Sequence, residues 1–449
     1  MEKPRQFFKK TEFLVLFAGL SLAVDVVGSF NRTVLAFGIL LLTSLVGVVL
    51  LFCDDIIPAL GSSLVVCLAA ARCYDAYPLF MGRPVIFATL PVAAFTVAAL
   101  IFNVIRYRRP IRAGRSVRGI IAVSVAVTLG GLGSIPFADY LSAIYYVVFL
   151  GVGMVALYLV FKSRLYETEG KGLTKRLAVM LCVIGLFAAV LTVRSFAWDL
   201  GTIIQNGGEV PDWKFRNNFS TFMMISMPAP LVFARKRPSA ILLTLAIYLS
   251  MILLGSRGGL FMGTAELVLC TVFMSVADRK RRVFYIGALV LFALAAACAA
   301  GFVLDYFSSR TGGGLISSGE QRARLLVRSF EDFLNAPIFG QGLGYKGNYD
   351  VYTPKTGAMG WYHMMIPQII GSMGTVGILA YGYQFFNRMK LVLLARDYNV
   401  WILCLCYSGL FLMSQVNPGE FCPFPYELLA VIIFAVAEGD RPALNKKSA

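Results

Sequence analysis

His363 is the only histidine among 449 residues. It stands in "GAMGWYHMMIPQIIGSMGTVG" (357–377), beside Trp361 and Tyr362 and ahead of three glycines at 371, 374 and 377. Imidazole is the side chain best matched to general-base work near neutral pH. The same residue fits an aromatic belt at a membrane surface, where Trp and Tyr gather. Pro367 falls in the first turn of the helix that follows, where proline is tolerated. Gly371, Gly374 and Gly377 would let a neighbouring helix pack closely, giving a catalytic base a firm mounting.

Two other short stretches carry anion chemistry. In "GSRGGL" (255–260), Arg257 precedes two glycines that permit a sharp turn and close backbone approach by a ligand. Its planar fork suits a phosphate or diphosphate; a snorkelling helix-end arginine reads equally well. In "FRNNFS" (215–220), Arg216 with Asn217 and Asn218 offers donors at a helix start, where anions are favoured and asparagine also caps. No H-E-x-x-H, D-x-D pair or Cys/His cluster occurs, so no metal site is expected. "GQGLGYKG" (340–347) lacks the strand, helix and Lys-Ser/Thr ending of a nucleotide loop and reads as a flexible turn. Asp305, Glu320, Glu331, Asp332 and Asp350 are the reserve bases.

The elements that must position these residues are membrane helices. The chain is 58% hydrophobic and 14% charged, whereas a soluble domain carries about a quarter charged residues. Apolar stretches of membrane-crossing length recur throughout, and in lipid they must be helical. The expected spans are 12–31, 34–53, 56–71, 85–105, 119–134, 141–161, 177–195, 217–234, 239–255, 260–277, 283–304, 364–386, 398–413 and 426–438. The fold expected is therefore all-α: a polytopic integral membrane protein of about 14 transmembrane helices forming one domain over 1–449. Most of the 41 Lys+Arg fall on alternate connections, such as "RYRRPIRAGRSVR" and "KSRLYETEGKGLTKR". That pattern marks those connections, and both termini, as cytoplasmic. The net charge of +17 thus reports topology rather than a nucleic-acid partner.

Counting spans puts Arg216, Arg257 and His363 on one, extracytoplasmic, side. Two long connections lie there, about 196–216 and 305–363, and together they would form the active site. Within the second, "RARLLVRSFEDFLNAP" places Leu326, Phe330, Phe333 and Leu334 on one helical face, an amphipathic helix at the membrane–water boundary. Most of the nine cysteines fall in or at the ends of spans; Cys73 and Cys422 lie outside and are free to pair.

Taken in order, "FRNNFSTFMMISMPAP", "LLGSRGGLFMG", "EQRARLLVRSFEDFLNAPIFGQGLGYKG" and "WYHMMIPQIIGSMGTVGILAYGY" resemble the O-antigen ligase/polymerase superfamily across roughly residues 215–385. The resemblance implies a GT-C-like, metal-independent, inverting glycosyltransferase without cofactor, working at the outer face of the bacterial cytoplasmic membrane. Its donor would be an oligosaccharide on undecaprenyl diphosphate, its acceptor a glycan or lipid-linked glycan, and its surroundings membrane lipids. By position, Arg257 would hold the donor diphosphate, His363 would deprotonate the acceptor, Arg322 matches the arginine opening the loop helix, and Arg216 matches the variable asparagine-rich segment. The family usually has Asn after the histidine; here it is Met364, so another group must orient the imidazole. Growth of a surface polysaccharide is slightly favoured over ligation. The contrasting reading is a transporter or flippase of lipid-linked glycans, which would carry charges inside several spans; Asp25, Glu266 and Arg194 are the few expected there.

Overall fold

The computed structural model describes residues 2–71, 80–82, 85–132, 144, 146–165, 172–205, 216–309, 314–343, 362–395, 397–417 and 419–439. Among them the chain is helical throughout, with no strand. After a short helix Glu2–Phe8 come α1 (Thr11–Gly28), α2 (Arg32–Phe52), α3 (Ile56–Ala71), α4 (Ile86–Arg106), α5 (Val117–Leu132) and α6 (Met154–Leu165), the last led in by a wide turn at Val147–Gly153. There follow α7 (Leu173–Gln205), α8 (Arg216–Ser226), α9 (Ile241–Leu253), α10 (Arg257–Ala277) and α11 (Arg282–Ser309). The remainder is α12 (Gly314–Asn335), α13 (Met365–Leu394), α14 (Tyr398–Ser414) and α15 (Leu428–Gly439).

Each expected span coincides with one of these helices, α12 being the additional amphipathic one. Among the described residues seven helices are long and apolar enough to cross a membrane: α1, α2, α4, α6 with its lead-in turn, α7, α10 and α13. The chain is an all-α membrane protein, and its burial pattern agrees. Of α4 only Ala99 is buried, while Phe87, Leu90 and Ile105 are exposed, as on a lipid-facing helix. The core is built instead from α7, α8, α14 and α15, where Met224, Leu410, Ile432 and Phe434 are sealed from solvent. Gly409 of α14 lies so close to the Met224 carbonyl of α8 that a Cβ there would overlap it, the small-residue contact by which membrane helices approach.

Three local readings differ from expectation. The span expected over 217–234 breaks after Ser226, because Pro228 and Pro230 supply no N–H and the chain tightens into a 3₁₀ turn at Ala229–Phe233. The connection expected from 196 begins as helix, since α7 runs on to Gln205; 206–215 lie outside the described residues. The segment between α14 and α15 is packed into the bundle rather than lying as an open loop: Glu420, Phe421 and Tyr426 are buried. Cys422 Sγ donates to the Phe424 carbonyl at 3.2 Å, and Cys73 lies outside the described residues.

The helices also sort their ends. Tyr398 at the start of α14 donates to the Leu231 carbonyl (2.8 Å) and meets Met274 Sδ near the end of α10. At the opposite end of α14, Val416 meets Gly258 at the start of α10. The first residues of α8, α10 and α13 therefore share one end of the bundle, and the basic 235–237 turn occupies the other.

Candidate functional site

Ser256 caps α10, its Oγ accepting from the Gly259 amide at 3.1 Å. The tight turn before it is made by Gly255, at φ +71°, and not by the glycines after Arg257. Gly258 and Gly259 serve close packing: a Cβ on Gly258 would stand 2.9 Å from Val416 Cγ2, and one on Gly259 the same distance from Ser220 Oγ. Arg257 thus opens a helix pressed against α8 and the end of α14. Arg216 opens α8, and Asn217 and Asn218 lie inside its first turn rather than at the cap. Asn217 Oδ1 accepts weakly from Ser256 Oγ (3.5 Å), while the Asn218 carbonyl accepts from Tyr426 OH (3.3 Å).

Arg322 reaches this place from α12. Its Nη2 donates to the Val416 carbonyl at 3.2 Å, the same residue that packs on Gly258. Arg257 consequently feels the positive charges of both Arg216 and Arg322. His363 feels that of Arg322. All four residues singled out in the sequence come together: Arg216, Arg257 and His363 at the N-termini of α8, α10 and α13, whose dipoles add to the positive field, and Arg322 from within α12.

The orientation of α12 is that of an interfacial helix. Its inward residues are Leu325, Ser329 and Asp332, all buried, whereas Leu326, Phe330 and Leu334 are exposed. The apolar stripe faces away from the protein, as an interfacial helix requires, and the polar one faces the site.

Asp332 then explains the mounting of His363. The Tyr362 hydroxyl donates to Asp332 Oδ2 at 2.6 Å, and Arg328 Nε lies 3.3 Å from Oδ1. The Tyr362 amide donates to Gln368 Oε1 (3.1 Å), and Gln368 Nε2 donates to Ser372 Oγ (2.8 Å). Tyr362 is no belt residue; it is almost fully buried, its ring filling the space left by the missing side chain of Gly371. His363, pinned on one side by this anchor and on the other by α13, adopts φ +55°, the one described non-glycine residue in the left-handed region. Trp361 lies outside the described residues. With Met364 following, the tyrosine anchor fixes the backbone that carries the imidazole.

Burial, and secondarily Arg322, holds the imidazole below its ordinary pKa. Neutral His363 carries a lone pair at pH 7. Burial likewise pulls Arg322 below its ordinary value and pushes Asp332 up against the lowering effect of the Tyr362 hydrogen bond. Among the reserve acids, Asp332 is committed to Tyr362, Glu331 pairs with Arg328 at 3.4 Å and Glu320 is exposed. Asp350 and the Asp305 side chain lie outside the described residues.

"GQGLG" has a defined structural duty. Helix α13 is broken at Gly374 (φ +57°, ψ −148°). The segment Pro337–Leu343 lies across the break: the Thr375 and Val376 amides donate to the Pro337 and Ile338 carbonyls (2.8 and 3.1 Å). In return the Gln341 and Gly342 amides donate to the Gly371 and Ser372 carbonyls (2.9 and 3.1 Å). Leu343 closes the clasp on the Gly130 carbonyl of α5 at 2.9 Å. Gly340, at φ +71°, sits where a Cβ would overlap the Ser372–Met373 peptide. The turn is thus a rigid clasp, and Gly374 serves it rather than a neighbouring helix; 344–361 lie outside the described residues.

No family model, curated protein or solved structure matches the chain. The site therefore rests on its own geometry. That geometry includes a cluster the sequence reading passed over. Arg388, inside α13, donates from Nη1 to Glu420 Oε2 (3.0 Å) and Tyr407 OH (3.0 Å), and from Nη2 to Glu427 Oε1 (2.8 Å). Gln384 Nε2 adds a 3.4 Å contact to Glu427, and every member is buried. The signal was present: "LVLLA" after Arg388 continues the apolar run, so the helix had to extend beyond it. Of the interior charges expected, Asp25 pairs with Arg194, and Glu266 accepts from Ser408 Oγ at 3.0 Å.

Proposed function

We propose that this chain is a membrane glycosyltransferase that takes a glycan from a polyprenyl-diphosphate donor, undecaprenyl diphosphate by the resemblance to the O-antigen ligase/polymerase superfamily, and joins it to an acceptor hydroxyl outside the cytoplasmic membrane. The observation that carries this reading is the convergence of Arg216, Arg257 and Arg322 beside a half-buried neutral imidazole. Two cations at helix N-termini and a third from α12, with Arg257 in electrostatic reach of both others, fit a diphosphate better than any neutral group.

The chemistry follows from the arrangement. An acceptor oxygen attacks the donor's anomeric carbon as the bond from that carbon to the diphosphate oxygen breaks. The hydroxyl proton passes to His363, and the electron pair leaves with the lipid diphosphate. Charge grows on the leaving group, where Arg257 and its neighbours stabilise it, the electrostatic contribution that is often largest. The test is release of lipid diphosphate from purified protein given undecaprenyl-diphosphate-linked repeat units. Loss of roughly a hundredfold or more is expected in both His363→Ala and Arg257→Ala. Unchanged release in both would sink the assignment.

One observation favours a second reading, a transporter of lipid-linked glycans. A helix broken at Gly374, with buried Arg388, Glu420 and Glu427 beyond it, is the kind of construction transporters use. Movement of labelled lipid-linked sugar across a vesicle membrane with no new glycosidic bond decides for it.

A further inference from the structure

A cavity lies at the end of the bundle away from His363. It measures about 920 Å³, the upper part of the range in which proteins bind drug-sized ligands. Three elements frame it: the first turn of α7, the 229–240 turn leading into α9, and the start of α14.

Its rim is basic. Lys175 comes from α7, and Arg235, Lys236 and Arg237 from the turn; all four are exposed. Among the described residues none of the four enters an ion pair. The one carboxylate of the lining, Asp397, is already engaged: its Oδ1 caps α14, accepting from the Asn399 and Val400 amides at 2.7 and 3.2 Å. Arg235 is fixed in place by stacking on the Tyr398 ring, 4.1 Å from its centre. The opposite wall is apolar. Leu242 and Leu243 of α9 line the cavity and are 61% and 38% exposed, on a helix whose remaining surface is lipid-like.

A cavity with fixed cations on its rim and aliphatic side chains below them matches an amphiphile whose head is an anion. We propose that this cavity binds an anionic phospholipid of the adjoining leaflet, phosphate against Lys175, Arg235, Lys236 and Arg237 and acyl chain along Leu242 and Leu243. Basic pockets between membrane helices take such headgroups, at about 1 kcal/mol per Lys or Arg near the surface. A soluble phosphate would use the rim alone and leave the leucine wall without a role. The site is independent of the glycosyl-transfer reading, because α9 and α14 separate it from His363 along their full lengths.

The test uses the full-length protein in neutral detergent, with native mass spectrometry counting bound lipid. Phosphatidylglycerol and phosphatidylcholine of matched chains are compared, with inorganic phosphate as the soluble arm. The lipid proposal expects one phosphatidylglycerol retained at least tenfold more tightly than phosphatidylcholine. Lys236→Gln/Arg237→Gln should lose roughly thirtyfold of that affinity. Lys175→Gln, on a separate element, should lose several-fold and serves if the double variant does not fold. Leu242→Gln should weaken phosphatidylglycerol while leaving phosphate binding unchanged. Equal retention of the two lipids, or phosphatidylglycerol binding unaffected by Lys175→Gln, overturns the proposal; phosphate competing with equal strength, with Leu242→Gln silent, assigns the site to a soluble anion instead.

Discussion

Two groups of arginines occupy this molecule and are organised in opposite ways. Arg216 and Arg257 stand at helix ends and Arg322 within α12, and Arg257 is repelled by both of the others. Arg388 stands inside α13 and spreads its donors over Glu420, Glu427 and Tyr407. In the first group positive charges gather at half-buried positions, a setting that favours an anion. In the second, a charge that could not be buried alone is balanced within the protein, with Phe434 and Tyr407 packed on the guanidinium faces. Residue type alone does not separate the two. Burial does: Arg388 is sealed inside the bundle, whereas Arg216, Arg257 and Arg322 are half-buried.

The sharpest way to break this contrast is to remove one arginine from each group. Arg388→Ala strands two buried carboxylates and should destabilise the fold by about 3–5 kcal/mol. Arg257→Ala should change stability by less than about 0.5 kcal/mol, as a half-exposed substitution does, while abolishing most lipid-diphosphate release. Thermal unfolding in detergent reads the first and donor turnover the second. If Arg388→Ala unfolds like the parent and Arg257→Ala does not, the two roles are reversed.

The two groups also differ in how far the sequence disclosed them. The helices were legible because lipid permits only one backbone solution for an apolar run of that length, and α1 to α5 fall close to their expected limits. That Arg216, Arg257 and His363 share one end of the bundle was legible because chain order and span parity group them. Arg388 was not, because the basic stretch around it resembled a cytoplasmic connection and concealed that α13 runs on to Leu394. Nor was the fold of "NPGEFCPFPYE": its prolines and glycine look like a surface loop, and only the pairing of Glu420 and Glu427 with Arg388 makes burial affordable. The amphipathic pattern of α12 is legible too: Leu326, Phe330 and Leu334 share a face that turns away from the protein, as at a membrane boundary. Gly340 and Gly374 were visible as glycines, yet their shared purpose depends on two backbones meeting across thirty-odd residues of chain.

That clasp supplies the next test, since it stands between the two groups on α13. Gly340→Ala forces a side chain into the left-handed region, at about 1–2 kcal/mol, and into the Ser372–Met373 peptide besides. A fall in unfolding temperature is expected together with loss of turnover, because the clasp holds the turn of helix behind Tyr362 and His363. Gly319→Ala, where no atom lies near the added carbon, is the control and should be neutral or slightly stabilising. Equal behaviour of the two would remove the clasp from the account.

The pH profile probes the cationic group without dismantling it. Burial and Arg322 both disfavour the imidazolium of His363, so its pKa lies below 6.5. A general base must be neutral, so turnover should hold to lower pH than an ordinary histidine would allow. It should fall, about tenfold per pH unit, only after pH drops beneath the lowered value. Arg322→Gln removes the secondary cause and leaves burial in place, so the acid limb of the residual activity should shift towards higher pH while staying below 6.5. A limb that stays fixed or moves the other way separates His363 from Arg322.

The smallest effect concerns the anchor beneath the imidazole. Tyr362→Phe keeps the ring that fills the space over Gly371 and deletes only the hydroxyl that donates to Asp332 at 2.6 Å. Loss of one such bond is worth about 1 kcal/mol of stability. Asp332 retains Arg328 at 3.3 Å, so the carboxylate is not left bare. The Tyr362 hydrogen bond lowers the Asp332 pKa against the effect of burial, so without it the carboxyl should take up its proton at higher pH. If the phenol only packs, kcat and its pH profile should match the parent. If it positions His363, whose left-handed backbone follows directly, kcat should fall several-fold with KM little changed. Asp332→Asn should reproduce that fall, since the same bond would be weakened from its other side, and an Asp332→Asn protein with parental kcat would show that the histidine needs no such anchor.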